Sequence, residues 1–262
     1  MKHPLRTLLL AVCCGLAAAC TQRQERLKLM SYNIRNGIGI DNIQDIGRIA
    51  RVILREAPDL VALQELDSAT LRVDGRYIPG ELGRMTGMHA TFGRAIGFAG
   101  GSYGIGLLSR TEPLAVRSIP LPGREEARVL LMAEFPDYTV CITHLSLTPE
   151  DRLASLPIIR EATDTCRKPV LLAGDFNTGN AAAVLAGLGG GFRILSDTTR
   201  MTFPSDNPAV RIDYILGRGL PTSATVAESA VDHTATASDH CPLWVTLVWK
   251  RGNQPGKYRA AA

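Results

Sequence analysis

Two stretches near the C-terminal end carry the residues best suited to chemistry. Arg211-Ile212-Asp213-Tyr214-Ile215 sets one carboxylate inside an apolar segment. Ser238-Asp239-His240-Cys241-Pro242 sets an acid beside an imidazole, just ahead of an apolar run from Pro242 to Val248. A buried carboxylate is costly unless it is paired or ligates a metal, and an imidazole is the natural partner for Asp213. A carboxylate that holds His240 in one tautomer raises its basicity, which is how a general base is built.

Other polar groups stand where apolar runs end: Asn33, Glu65, His144, and Asp175 with Asn177. Strand ends are where α/β folds place active sites. Each has an ordinary explanation alone: a turn residue at Asn33, a solvated terminus at Glu65, a satisfied core histidine at His144, an Asx turn at Asp175 to Asn177, an ion pair at Asp213. So many coincidences of one kind point instead to a common pocket.

The elements that must position these groups read as follows. Strands are expected over Leu27 to Arg35, Asp59 to Gln64 (with Glu65 at its end), His89 to Ile96, Tyr103 to Ser109, Pro113 to Leu121, Ala127 to Phe135, Tyr138 to Leu145, Pro169 to Ala173, Met201 to Phe203, Val210 to Leu216, Ser223 to Ala227 and Leu243 to Trp249. Asp45 to Glu56 has helical spacing and stops at Pro58. Pro79 to Met85 and Asn180 to Leu188 are short helices. A longer one is expected from Thr148, its capping hydroxyl, toward Cys166, bent at Pro157. Strands with helices inserted at a few points make a mixed α/β domain with more than one sheet.

The N-terminus reads as a secretory signal over residues 1–19: two positive charges, an apolar run from Leu8 to Leu16, and Ala17-Ala18-Ala19 before Cys20. Cys20 is expected to be lipidated, as in a bacterial lipoprotein, although Leu16 lies one position further from it than in the usual pattern. Ordinary cleavage after Ala19 is the alternative. Residues 20–26 would be anchor and linker, 27–250 the domain, and 251–262 a tail. Removing Lys2 and Arg6 with the leader leaves 27 basic residues against 25 acidic ones, so charge does not announce a nucleic-acid binder. Cys141, Cys166 and Cys241 remain in the domain without metal-binding spacing, so a structural zinc site is not expected.

The ordered set MSYNIRNG, DLVALQE, ITHL, LLAGDFN, RIDYIL and SDHCP resembles the endonuclease/exonuclease/phosphatase superfamily, also called DNase I-like, over Leu27 to Trp249. That resemblance implies a four-layer α/β sandwich, two mixed sheets face to face with helices outside, and divalent-metal-dependent hydrolysis of phosphate esters. It implies that Glu65, with Asn33 and Asp239, holds the metal, magnesium by preference, with manganese or calcium also suited. It further implies that Asp213 orients His240, Asp175 positions the attacking water, Asn177 donates to a phosphate oxygen, and His144 acts as stabiliser or acid. Tyr103, in YGxxxLSR, and Arg72 are candidate substrate contacts. A second acid–imidazole pair, Asp232-His233, is placed in a loop near the site, and His89 is read as structural.

The export signal, the anchor and the near-neutral charge favour a monomeric cell-envelope phosphodiesterase or phosphatase acting on small or lipid-linked phosphate esters. The rival is a secreted or surface-anchored nuclease, which would need Arg72, Arg76, Arg84, Arg94 and Arg124 gathered into a cationic groove. A third reading is a binding module that keeps the fold with a dead site.

Overall fold

The computed structural model describes residues 24–250. Two six-stranded sheets pack face to face. The first has the order β11-β12-β1-β2-β4-β3, built from β1 (Gln24–Asn33), β2 (Leu60–Ser68), β3 (His89–Phe98), β4 (Gly101–Ser109), β11 (Thr225–Val231) and β12 (Leu243–Lys250). The second has the order β5-β6-β7-β8-β10-β9, built from β5 (Ala115–Leu121), β6 (Arg128–Glu134), β7 (Thr139–His144), β8 (Val170–Asp175), β9 (Arg193–Ile194) and β10 (Asp213–Arg218). Four helices complete the architecture: α1 (Ile46–Glu56), α2 (Ile78–Thr86), α3 (Pro149–Asp164) and α4 (Ala181–Leu188).

Side-chain alternation explains the layers. Along β1, Leu27 and Leu29 face the other sheet, while Met30 and Tyr32 face α1 and α2. Leu171 and Ala173 of β8 likewise face inward, and Val170 and Leu172 face α3 and α4. Every central strand is therefore covered on both sides, which is why these strands read as continuous apolar runs. Each fully buried Leu or Ile contributes roughly 1.5–3 kcal/mol relative to exposure. Two parallel pairings, β1 with β2 and β7 with β8, make both sheets mixed. The four-layer sandwich expected from the resemblance is the one observed.

Several local expectations change. Gln24–Arg26, expected as linker, belong to β1 and pair with Val248 to Lys250. Strand β2 continues past Gln64 to Ser68, because a bulge between Leu63 and Leu66 lets pairing with β4 resume. Met201 to Phe203 forms no strand, only an isolated bridge from Phe203 to Val210, and β10 begins at Asp213 rather than Val210. Short β9, at two residues, is too brief to show a period in the sequence. Thr148 does not cap α3 with its side chain; its hydroxyl donates to Glu125 Oε2 instead. Pro157 lies inside α3, which runs unbroken from Pro149 to Asp164. The signal, Cys20 and the 251–262 tail lie outside the described residues. Cys141, Cys166 and Cys241 are free thiols. Among the described residues no helix is long and apolar enough to cross a membrane.

Candidate active site

Strand direction gathers the polar groups at one end of the sandwich. Parallel β1 and β2 end together, as do parallel β7 and β8, while β10 and β12 run antiparallel and begin there. In register, Asp175 faces Asp213 on one side and His144 on the other. His240 precedes β12 and reaches across to the second sheet.

His240 Nδ1 lies 3.0 Å from Asp213 Oδ2, and both residues are buried. The other ring nitrogen, Nε2, lies 3.7 Å from Asp175 Oδ2. The same Asp175 oxygen is 3.5 Å from His144 Nε2 and accepts from Asn33 Nδ2 at 3.1 Å. Asn33 Nδ2 also donates to Glu65 Oε1 at 3.0 Å, so one amide bridges two carboxylates. Its own oxygen accepts from the Arg35 backbone N–H. Ser238 donates its hydroxyl to the Asn33 carbonyl at 2.7 Å, which brings neighbouring Asp239 to the same rim, where its carboxylate lies 3.5 Å from Arg35 Nε. Glu65 is joined to this network through the Asn33 amide, and Asp239 through Ser238 and Arg35.

Backbone conformation aims these groups. Glu65 has φ +60° at the β2 bulge, so the extra residue turns its side chain toward Asn33 instead of continuing the pleat. Asn177, also left-handed at φ +50°, donates its backbone N–H to Asp175 Oδ1 and one side-chain hydrogen to the Leu145 carbonyl. The Asn177 amide carries one further hydrogen besides the one given to Leu145.

Charge is out of balance in this pocket. Burial, then the charge on Asp213, pushes the Asp175 carboxyl up, against the pull of His240 and the donors Asn177 and Asn33. Burial opposes charging of His240, but Asp213 and then Asp175 outweigh it and raise the imidazole above its ordinary range. Burial, then the Arg128 and His240 charges, holds His144 well below the ordinary imidazole range. Burial thus favours the neutral form of His144, which carries one N–H donor.

The residues fit a divalent cation. Asp175, Asp213 and His240 place ligand atoms within 4.8 Å of one another, and Asp213 Oδ1 is buried without a hydrogen-bond partner. Glu65 stands next to this cluster, bridged to Asp175 by the buried Asn33 amide. Facing buried carboxylates with an orphaned oxygen are the arrangement a hard cation relieves, and an oxygen-rich set suits magnesium, manganese or calcium better than zinc.

Tyr103 and Arg72 pack on each other, and no contact joins either of them to the Asp213–His240 pair among the described residues. The Arg72 guanidinium lies 5.2 Å from the Tyr103 ring centroid and 4.7 Å from that of Phe98, while its charge is paired with buried Asp67. Burial, then the Glu65 charge, raises the Tyr103 hydroxyl. Asp232 pairs with Arg55, and His233 meets the Met201 carbonyl outside the pocket. His89 is exposed. Two residues escaped sequence reasoning: Arg35 and Arg128. Arg128 is buried between Glu125 and Glu126 and acts on His144, yet no spacing distinguishes it from the other charges in Arg124 to Arg128.

The fold and this pocket define an α/β sandwich of the DNase I-like type. Residues 30–240 match the model of the Endonuclease/Exonuclease/phosphatase family, and the chain belongs to that family. No curated protein matches the sequence. Among solved structures, the chain is similar to an endonuclease/exonuclease/phosphatase from Beutenbergia cavernae (TM-score 0.69, 23% identity, 86% of this chain and 72% of that one). It is also similar to a mannosyl-6-phosphatase from Bacteroides thetaiotaomicron (TM-score 0.67, 19% identity, 84% and 99%). A third similar structure is TDP2 from D. rerio complexed with single strand DNA product (TM-score 0.64, 22% identity, 85% and 98%).

Proposed function

We propose that the protein is a divalent-metal-dependent phosphoesterase that hydrolyses small or lipid-linked phosphate esters at the cell envelope. The observation that carries this reading is the buried Asp213–His240 pair at 3.0 Å with the free imidazole nitrogen turned toward Asp175. His240 Nε2 takes a proton from water held against Asp175. The water oxygen forms a bond to phosphorus as the ester P–O bond breaks. His144 and the spare Asn177 hydrogen face the charge that develops on the phosphoryl oxygens. A divalent ion held by Glu65, Asn33 and Asp239, with Asp175 and Asp213 close by, would polarise a phosphoryl oxygen and offset charge on the leaving oxygen.

The rim supports an ester with an apolar part. Ile43, Leu71, Phe98, Leu147, Met201 and Val210 are exposed, and all lie in segments at the strand ends that carry the site. Of the arginines a nuclease groove would need, Arg72, Arg76 and Arg124 are paired with Asp67, Glu81 and Asp151, which weakens that alternative. The intact pair argues against a dead binding module. Export and lipidation at Cys20 belong to the same proposal. Strand β1 runs ten residues from Gln24 to Asn33, roughly 30 Å at about 3.3 Å per residue. A lipid at Cys20 would therefore tether the end of β1 away from the site and leave the pocket facing outward. The test is hydrolysis of bis-p-nitrophenyl phosphate, a phosphomonoester, a lipid phosphodiester and plasmid DNA by the mature chain with magnesium. Plasmid cleavage far above the rest would favour the nuclease.

A further inference from the structure

We infer that Thr202–Ser205 is a clip that positions the Asp213–His240 pair, with the Phe203 ring setting the plane of the imidazole. The segment belongs to no strand or helix, yet it grips the backbone on both sides of the pair. The Thr202 hydroxyl oxygen accepts from the backbone N–H groups of Ile212 (3.2 Å) and Asp213 (3.3 Å). The Thr202 carbonyl accepts from the Cys241 N–H at 2.7 Å. Ser205 donates its N–H to the Asp239 carbonyl and its hydroxyl to the Ser238 carbonyl, both at 2.7 Å. Thr202 and Ser205 are buried. Between them the Phe203 ring lies 4.8 Å from the His240 ring, centroid to centroid, tilted 47°.

Asp213 and His240 come from different sheets, so the distance between them depends on how the sheets are held together at this end. Thr202 ties to both segments at once, which fixes the separation of the two backbones. One hydrogen bond at Nδ1 leaves the imidazole free to swing about the line to Asp213. A ring packed against it at this tilt hinders that swing and keeps Nε2 turned toward Asp175. Small misplacements of a catalytic group cost about 10²-fold in rate, so a contact that only orients His240 matters to turnover without touching substrate. The Phe203–Val210 bridge holds the clip closed, with Phe203 and Val210 exchanging backbone hydrogen bonds at 3.0 and 2.9 Å.

The experiment compares the full mature chain with Phe203→Leu, Phe203→Met and Phe203→Tyr by two readouts. The first is kcat and KM for bis-p-nitrophenyl phosphate with magnesium. The second, independent of any substrate, is the NMR signal of the His240 ring. Phe203→Leu and Phe203→Met should lower kcat on the order of 10-fold or more with KM little changed, broaden the Nδ1–H resonance, and leave the thermal midpoint close to wild type. Phe203→Tyr, which keeps the ring, should restore both readouts. A rise in KM with kcat unchanged would make Phe203 a substrate contact and overturn the proposal, as would an Nδ1–H resonance as sharp without the ring as with it. A wild-type chain that hydrolyses no ester would count against the proposed activity alone, and the His240 resonance would still decide the clip.

Discussion

Asp175 and Asp213 sit directly opposite each other across the β8–β10 ladder, both buried, with His240 between their carboxylates and the first sheet. Two like charges in adjoining register positions destabilise a sheet unless something cationic answers them. Here the answer is His240 and, in the proposed working state, a metal ion.

Replacing Asp213 with Asn keeps the shape and removes the charge that raises His240. Turnover should fall on the order of 10²–10⁴-fold. The base works when neutral, so the rate should climb with pH through a limb above the ordinary imidazole range. Loss of the Asp213 charge should move that limb to lower pH. A pH–rate profile of the wild type and Asp213→Asn checks both the size and the direction.

Glu65 owes its aim to the β2 bulge and its bond with Asn33. Glu65→Gln should weaken manganese binding at least about 10-fold, read by titration calorimetry on the folded protein, with the thermal midpoint nearly unchanged. Unaltered affinity would remove Glu65 from the metal site.

Glu125 fastens the loop that follows His144. It accepts from Ser146 Oγ at 2.7 Å, the Leu147 N–H at 2.7 Å and Thr148 Oγ1 at 3.1 Å. Burial alone would raise its carboxyl, but these bonds, Ser146 foremost, bring it down to about 2. A lowered carboxyl stabilises the fold fully above the ordinary carboxylate range and loses that contribution as pH falls toward about 2. Glu125→Gln should flatten this acid limb and cost on the order of 1 kcal/mol at neutral pH, discounted for partial exposure. Urea denaturation from pH 7 down to pH 3 measures it.

Gly174 precedes Asp175 with φ +155°, and a Cβ there would fall 2.0 Å from the Thr143 carbonyl oxygen of β7. Gly174→Ala forces backbone apart at the parallel pairing that aligns His144 with Asp175. A loss of about 1–3 kcal/mol is expected, with activity falling further than stability.

Much of the site was legible because its residues stand at the ends of apolar runs, where periodicity breaks. His240, Asp175 and Asn33 declare themselves that way, Asp213 as a lone carboxylate inside an apolar segment, and the resemblance carried by six ordered motifs implies the layers. What stayed hidden depends on partners distant in sequence. The bulge at Glu65 exists only because β2 pairs with β4. The Thr148 hydroxyl left its cap for Glu125, 23 residues earlier. Arg128 acquires its place beside His144 only when β6 lies next to β7. Phe203 was read as strand from its composition, whereas its segment is shaped by contacts with Asp213, Asp239 and Cys241.

The most direct test of the central claim is the rate of bis-p-nitrophenyl phosphate hydrolysis by wild type and His240→Ala, each with magnesium and with excess chelator. Hydrolysis by wild type that chelator abolishes, and that His240→Ala lacks while remaining folded, is the expected result. Turnover by His240→Ala equal to wild type, or unchanged by chelator, would contradict a metal-assisted base built from Asp213 and His240.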